Sequence, residues 1–274
     1  MGKKDLKQFN ETVKFLKKQY KETPTVGIVL GSGLGNFINE IAIEKEVAYE
    51  DIPNFPVSTV EGHKGKLVFG RLSGKVVVAM AGRFHFYEGY PAKDVVLPVR
   101  VMKLLGVETL LLSNAAGSVN PSFKVGDIMI IKDHISFFTP NPLVGKNLAS
   151  FGPRFPDMSE PYKKHLVEKA KAIAAAHNFD VKEGIYVAVT GPTFETRAEY
   201  KFIHILGADV VGMSTVQETI VANHAGMEVF AMSVVTDVGM REEENIITHE
   251  EVLEAARHAE PKLATIFKEL VAAI

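Results

Sequence analysis

The chain has 274 residues, 46% of them hydrophobic, with 31 basic and 33 acidic side chains interspersed for a formal net charge of −2. That composition supports one large core, excludes fibrous, collagenous and disordered classes, and recommends a small-molecule ligand over a nucleic acid or a membrane surface. With no cysteine, disulfides, thiolate nucleophiles and cysteine-based zinc sites are excluded together.

Along the chain, Leu6, Phe9, Val13, Leu16 and Tyr20 recur at steps of three and four among lysines, which predicts an amphipathic helix without the apolar core of a signal peptide. No stretch approaches the roughly eighteen uninterrupted apolar residues of a membrane span, so a soluble cytoplasmic protein is expected. Strand-length apolar runs follow at TVGIVL, KLVFGRL, KVVVAMAG, ETLLLSN, DIMIIKDHI, GIYVAVTG, ADVVGM and MEVFAMSVVTD. Several are apolar at consecutive positions, as in strands covered on both faces. Helical patterns lie between them at 92–105, 161–177, 196–206, 215–226 and 249–273. The alternation predicts an α/β layered fold with a parallel or mixed sheet. Pro98 and Pro261 fall inside helical patterns, where each should kink or restart the helix. The least regular region, 137–160, contains four prolines; a loop of that length in a compact domain is more often functional than a linker.

The turn LGSGLGN follows the first strand. A dinucleotide fingerprint needs G-x-G-x-x-G with an acid about twenty residues on, but here the third glycine comes one residue early and Asp51 sits in the proline-flanked YEDIPNFP. A plain strand-to-helix turn is one alternative. A small-anion cradle is the other: converging backbone N–H groups, the positive end of the next helix, and the Ser32 hydroxyl. Further on come EGHKG, with His63, and GRFHFYEGY, where Arg83 and His85 stand two apart and so project to one side of an extended segment. A guanidinium and an imidazole facing one point suit a phosphate or carboxylate; a solvated charge with a structural histidine is the alternative.

Asn114-Ala115-Ala116-Gly117 ends the ETLLLS strand as a turn, and ligands in α/β sheets collect beyond strand carboxyl ends. An asparagine there can donate an amide proton. In GPTFETR, Phe194 offers an apolar face and Glu195 two acceptor oxygens, unless Glu195 merely serves the N-terminus of the helix it precedes. Ser214, after VGM, either caps a helix or donates to an anion. Thr236 and Asp237 end the last strand, and His249 opens the final helix.

Taken together, GSGLG, EGHKG, GRFHFYEGY, NAAG, GPTFETRAEY, GADVVGMSTV and THEEV resemble the trimeric, low-molecular-mass purine nucleoside phosphorylase family, in that family's order and from Gly31 to Val252. The resemblance implies one α/β domain over 1–274, with a mixed, partly barrel-like central sheet flanked by helices, assembled as a homotrimer. It implies pentosyl transfer in purine salvage: reversible phosphorolysis of purine (deoxy)ribonucleosides, chiefly inosine and guanosine, to free base and (2-deoxy)ribose 1-phosphate. Phosphate is then a co-substrate, and no cofactor, metal, nucleic acid or membrane is called for; no H-E-x-x-H spacing is present. By the same resemblance Ser32, His63, Arg83, His85, the backbone at Ala115, and Ser214 meet phosphate. Tyr87 and Met213 line the ribose and His249 reaches its 5′-hydroxyl. Phe194 stacks near the base, and Asn114, Ala116, Gly117, Val211 and Gly212 shape the pocket. Glu195 accepts the N1 and 2-amino protons, Thr236 and Asp237 face N7 and O6, and His85, Glu195 and Asp237 carry the catalytic roles. A neighbouring subunit contributes an aromatic residue from the irregular loop, Phe151 or Phe155.

One position departs from the expected pattern. Members specific for 6-oxopurines usually carry Thr-Asn where this chain has Thr236-Asp237. An ionised carboxylate accepts only, so it suits a 6-amino group or must hold a proton to serve a 6-oxopurine. The alternative reading is therefore a 5′-methylthioadenosine or adenosine phosphorylase, although those methylthioadenosine enzymes lack counterparts of Glu195 and His249. Outside enzymes, the rival is a nucleoside or phosphate binder that kept the fold.

Overall fold

The computed structural model describes residues 3–60, 64–239 and 247–274. His63 lies outside the described residues. Among the described residues, nine strands form one mixed sheet: β1 (Val26–Val29), β2 (Ala42–Ala48), β3 (Lys66–Leu72), β4 (Lys75–Ala81), β5 (Thr109–Ser118), β6 (Ile128–Ile135), β7 (Val181–Ala188), β8 (Val210–Gly212) and β9 (Glu228–Val238). Seven α-helices among the described residues accompany them: α1 (Lys3–Gln19), α2 (Ala92–Val95), α3 (Leu97–Leu105), α4 (Lys164–Ala176), α5 (Arg197–Ile205), α6 (Val216–His224) and α7 (His249–Ala273). The sheet order is β2-β3-β4-β1-β5-β8-β7-β6-β9, and β9 pairs back onto β5. Five strands, β5, β8, β7, β6 and β9, thus close into a barrel from which β1, β4, β3 and β2 extend as an open arm.

The consecutive apolar positions read as doubly covered strands are covered on both faces. Val29, Leu110 and Leu112 pack into a core with α3 and α6 residues such as Val99 and Val221. Their neighbours Ile28, Leu30 and Leu111 pack on the opposite face with α4 and α7 residues such as Leu166 and Phe267. Because β4, β1, β5 and β9 run parallel, their carboxyl ends gather at one rim, and the expected mixed, partly barrel-like sheet is present.

Three expectations need correction, and one strand, β2, has no counterpart among the apolar runs. The segment Asn114-Ala115-Ala116-Gly117 is not a turn after β5 but part of it, carried in parallel register by β9 through Asn114↔Ser233 to Gly117↔Asp237, with a register shift at Ala116/Gly117. β2, AIEKEVA, has no apolar run because it is an edge strand with only Val47 buried. The element after the Gly31 turn is a six-residue 3₁₀ helix, Gly35–Glu40, too short to supply the helix-end field expected of it. Pro261 does not restart α7: the ring falls on the exposed side, where the Arg257 carbonyl it displaces can meet water, while Ala256, Ala259 and Leu263 hold the buried side. Pro98 behaves as expected, since α2 ends at Val95 and α3 restarts with the proline in its first turn. Among the described residues, no helix is long and apolar enough to cross a membrane.

Candidate active site

A cavity of about 440 Å³ opens at the rim where the strand ends gather, within the range of small-molecule sites. Ser32, Arg83, His85, Tyr87, Asn114, Ala115, Ala116, Gly117, Phe194, Glu195, Val211, Gly212, Met213, Ser214, Thr236, Asp237 and His249 all line it. Every described residue expected at the site is therefore brought to one concave surface.

The Gly31 turn passes tightly against the β5 backbone on its way to the cavity. A Cβ at Gly31 would lie 2.8 Å from both Asn114 Cα and the Ser113 carbonyl oxygen, so only glycine lets the loop present Ser32 there. Arg83 and His85 do share a side, but neither is a bare cation. The Arg83 Nε donates to Glu218 Oε1 at 3.1 Å, and its Nη2 lies 3.1 Å from Glu218 Oε2, a charge contact beside that hydrogen bond. Its Nη1 donates to the Ser113 carbonyl at 2.6 Å and to Ser214 Oγ at 3.3 Å. His85 Nδ1 lies 3.3 Å from Glu88 Oε1, which also accepts the His85 backbone N–H at 2.7 Å. Burial pushes the imidazole pKa down, with Glu88 partly offsetting it. Burial alone would raise Glu88, but hydrogen bonds from His85 and Thr59 win and bring it to about 2. Tyr87 stacks on the His85 ring at 4.7 Å.

Ser214 does not cap α6. The cap position is Thr215, without a side-chain cap bond and at φ +69°, ψ −47°. The Val216 N–H donates to the Ser214 carbonyl at 2.7 Å, closing a γ-turn, a rare and strained conformation for a β-branched residue. Asn114 Nδ2 donates to Thr215 Oγ1 at 2.9 Å, so this amide shapes the pocket through Thr215. The Ser214 N–H donates to Tyr186 Oη at 3.2 Å and its hydroxyl lies 3.0 Å from Thr215 Oγ1. Strain here holds a serine hydroxyl facing Arg83.

The alternatives left open for the acidic residues resolve by capping geometry. α5 is capped by Thr196 and Glu199, each accepting the other's backbone N–H, and α7 likewise by Thr248 and Glu251. Glu195 and His249 are thereby left to the cavity. Burial, with the Asp237 charge as a further contribution, raises the Glu195 pKa. Thr236 Oγ1 donates to Asp237 Oδ1 at 3.1 Å, and Tyr200 Oη donates to Asp237 Oδ2 at 3.5 Å.

Residues 25–272 match the phosphorylase superfamily. Over 258 residues the chain is 51% identical to purine nucleoside phosphorylase 1 of Bacillus subtilis, covering 94% of this chain and 95% of that protein. It is 47% identical to the purine nucleoside phosphorylase of Bos taurus, covering 97% and 94%. The chain belongs to the purine nucleoside phosphorylase family. Solved members share the fold closely. Isoform 2 of the Schistosoma mansoni purine nucleoside phosphorylase, in complex with cytosine and ribose-1-phosphate, superposes with a TM-score of 0.92 at 44% identity, covering 98% of this chain and 96% of that one. The Schistosoma mansoni enzyme in complex with adenosine gives 0.92 at 42%, covering 98% and 97%.

Within this purine nucleoside phosphorylase fold, sequence reasoning missed Thr59, Val60, Glu88, Pro192 and Val252 on the cavity wall, and Glu218, Tyr186, Thr215 and Tyr200 behind it. Glu88 was in view inside GRFHFYEGY. The signal for Glu218 is a lone carboxylate in a helix whose other residues are almost all buried, a placement that demands a partner. Among the described residues no cluster suited to a metal ion occurs.

Proposed function

We propose that the cavity performs reversible phosphorolysis of purine (deoxy)ribonucleosides, with inosine and guanosine as leading substrates. One observation carries this: the residues expected to meet phosphate (Ser32, Arg83, His85, Ala115, Ser214), the ribose (Tyr87, Met213, His249) and the base (Phe194, Glu195, Thr236, Asp237) all line one cavity. A phosphate oxygen attacks C1′, the C1′–N9 bond breaks, and its electron pair passes to the purine, which is stabilised by hydrogen bonds and by a donated proton, at N7 for a 6-oxopurine and at N1 for adenine. The ribose becomes oxocarbenium-like in the transition state, so catalysis needs an oriented anionic nucleophile at one end and donors at the other. No protein nucleophile and no resident cofactor enters that scheme.

At the base end Glu195, ionised, accepts the N1–H of a 6-oxopurine, and Asp237, protonated, donates toward N7 and O6. With adenosine the roles exchange, and adenosine cleavage is a second activity that Asp237 favours. The Asp237→Asn variant should raise the inosine-to-adenosine ratio of kcat/KM by at least tenfold; an unchanged ratio contradicts this role. The reading as a whole is tested by base release from inosine, guanosine, adenosine and methylthioadenosine with and without phosphate. Nucleoside binding without phosphate-dependent release refutes it, and methylthioadenosine as the preferred substrate moves the chain to the rival reading.

The assembly we propose is a homotrimer in which Phe155 crosses to the neighbouring site. Phe155 is 87% exposed, whereas Phe151 is 9% exposed and engaged by the Phe9 ring and the Arg100 guanidinium. Sedimentation of the purified chain tests the assembly.

A further inference from the structure

Two carboxylates, Glu195 and Asp237, line the cavity, and one hydroxyl lies close to both. Tyr200, on α5 and buried, stands behind the cavity wall. Its Oη reaches Asp237 Oδ2 at 3.5 Å, the long end of a hydrogen bond, and it lies near enough to the Glu195 carboxylate for each group to shift the other's pKa. Its ring has room there because residue 239 is glycine: a Cβ at Gly239 would lie 2.4–2.5 Å from three Tyr200 ring atoms. Thr236 supplies a further donor on Asp237.

Resting on the nucleoside reading above, we propose that Tyr200 is a positioning residue for base choice: its hydroxyl is the shared donor of Glu195 and Asp237, which together hold one proton, so one pocket takes both 6-oxopurines and 6-aminopurines. Two carboxylates at one site do not both ionise cheaply. For inosine the proton sits on Asp237, which donates to the base, and the Tyr200 hydroxyl turns to ionised Glu195. For adenosine it sits on Glu195, which donates to N1, and the hydroxyl turns to ionised Asp237. The proton relocates through solvent or the hydroxyl itself, with no net gain or loss. Burial, and then the two carboxylate charges, push the Tyr200 pKa far above its ordinary value, so the hydroxyl remains a donor. Glu199 on α5 adds a further negative charge near Glu195, which favours keeping the proton on the pair, and Arg83, His85, Tyr87, Glu88 and His249 are further titratable groups on the cavity wall.

The test is Tyr200→Phe, which removes only Oη and keeps the ring against Gly239. A donor to a charged acceptor at this distance corresponds to about five- to tenfold in rate. The expected result is that loss in kcat/KM for inosine and for adenosine alike, parallel weakening of hypoxanthine and adenine affinity, and a KM for phosphate within twofold of wild type. Unchanged kinetics for both nucleosides would reduce Tyr200 to packing and overturn the proposal; loss for one base alone would overturn the sharing. Gly239→Ala, which displaces the ring, should reproduce the two-base loss at unchanged phosphate KM, and supplies the answer should Tyr200→Phe fold poorly. If the wild-type protein cleaves neither nucleoside with phosphate present, it is the nucleoside reading that fails.

Discussion

Glu218→Ala should separate what holds Arg83 from what Arg83 holds. Both side chains are almost fully buried, at 1% and 5% exposure, and are joined by two contacts of 3.1 Å. Deleting one partner of such a pair costs about 3–5 kcal/mol, because the charge left behind is desolvated without compensation. Here the Nη1 bonds to Ser113 and Ser214 survive and the cavity admits water, which puts the loss near about 3 kcal/mol. At about 2 °C per kcal/mol for a chain of this size, the midpoint should fall by roughly 6 °C in a thermal melt. Added phosphate should restore more stability to the variant than to wild type, since it supplies a negative partner to an unpaired guanidinium and stabilises by mass action. In the phosphorolysis assay, kcat/KM should drop by about a hundredfold, as a guanidinium no longer pinned at two points misplaces the anion. Glu218→Gln, which keeps one acceptor, should fall between. A melt within about 2 °C of wild type together with near-normal kinetics would refute the idea that this pair orients the anion end.

Two further outcomes follow from other buried groups. Glu260 on α7 accepts the Phe37 N–H at 2.8 Å and the Asn36 amide at 3.1 Å, tying the Ser32 loop to the helix that carries His249. Glu260→Ala should cost about 1.5–3 kcal/mol in urea unfolding and raise KM for phosphate more than it lowers kcat; an effect on stability alone would make it a simple anchor. His134 lies 3.1 Å from the Tyr162 hydroxyl, and burial, only partly offset by Asp133, lowers its pKa to about 4. Between the ordinary value and that one the unfolded chain binds the extra proton, so this contribution is present above about pH 6.5 and is lost as the pH falls toward 4. His134→Gln should flatten that slope by up to about 3 kcal/mol, read from unfolding at pH 7.5 and pH 4.5; an identical slope would remove His134 as its source.

What the sequence disclosed depended on whether a residue's role is written in its neighbours. Doubly covered strands such as Val26–Val29 announce themselves by unbroken apolar runs, and glycine-flanked polar residues at their ends mark the rim. β2 stayed hidden because an exposed edge strand needs neither run nor alternation, and Lys45 and Glu46 are compatible with any surface segment. Asn114 to Gly117 read as a turn because asparagine, alanine and glycine are poor strand formers; the ladder with β9 overrides that preference. Ser32, Arg83 and Glu195 were legible in motifs, whereas Glu218 and Tyr200 act one layer back. Their partners are 135 and 37 residues away, a pairing that only the closed sheet creates.

That second layer changes the physical character of the proposed anion end. The motif alone suggests a cation and an imidazole that attract phosphate by charge. Instead Arg83 is paired with Glu218, and His85, its protonation disfavoured by burial, is paired with Glu88. Counting Arg83 against Glu218 and Glu88, these side chains carry no net positive charge. A phosphate oxygen that must attack C1′ loses nucleophilicity when a bare cation neutralises it, and a product phosphate held by bare charge leaves slowly. Donors fixed in direction, the Ser32 and Ser214 hydroxyls and the guanidinium edge, can hold the anion by geometry while leaving its electron density in place, which is the preorganised form of electrostatic stabilisation. The strain at Thr215 belongs to the same arrangement, since a relaxed turn would not hold the Ser214 hydroxyl within reach of Arg83.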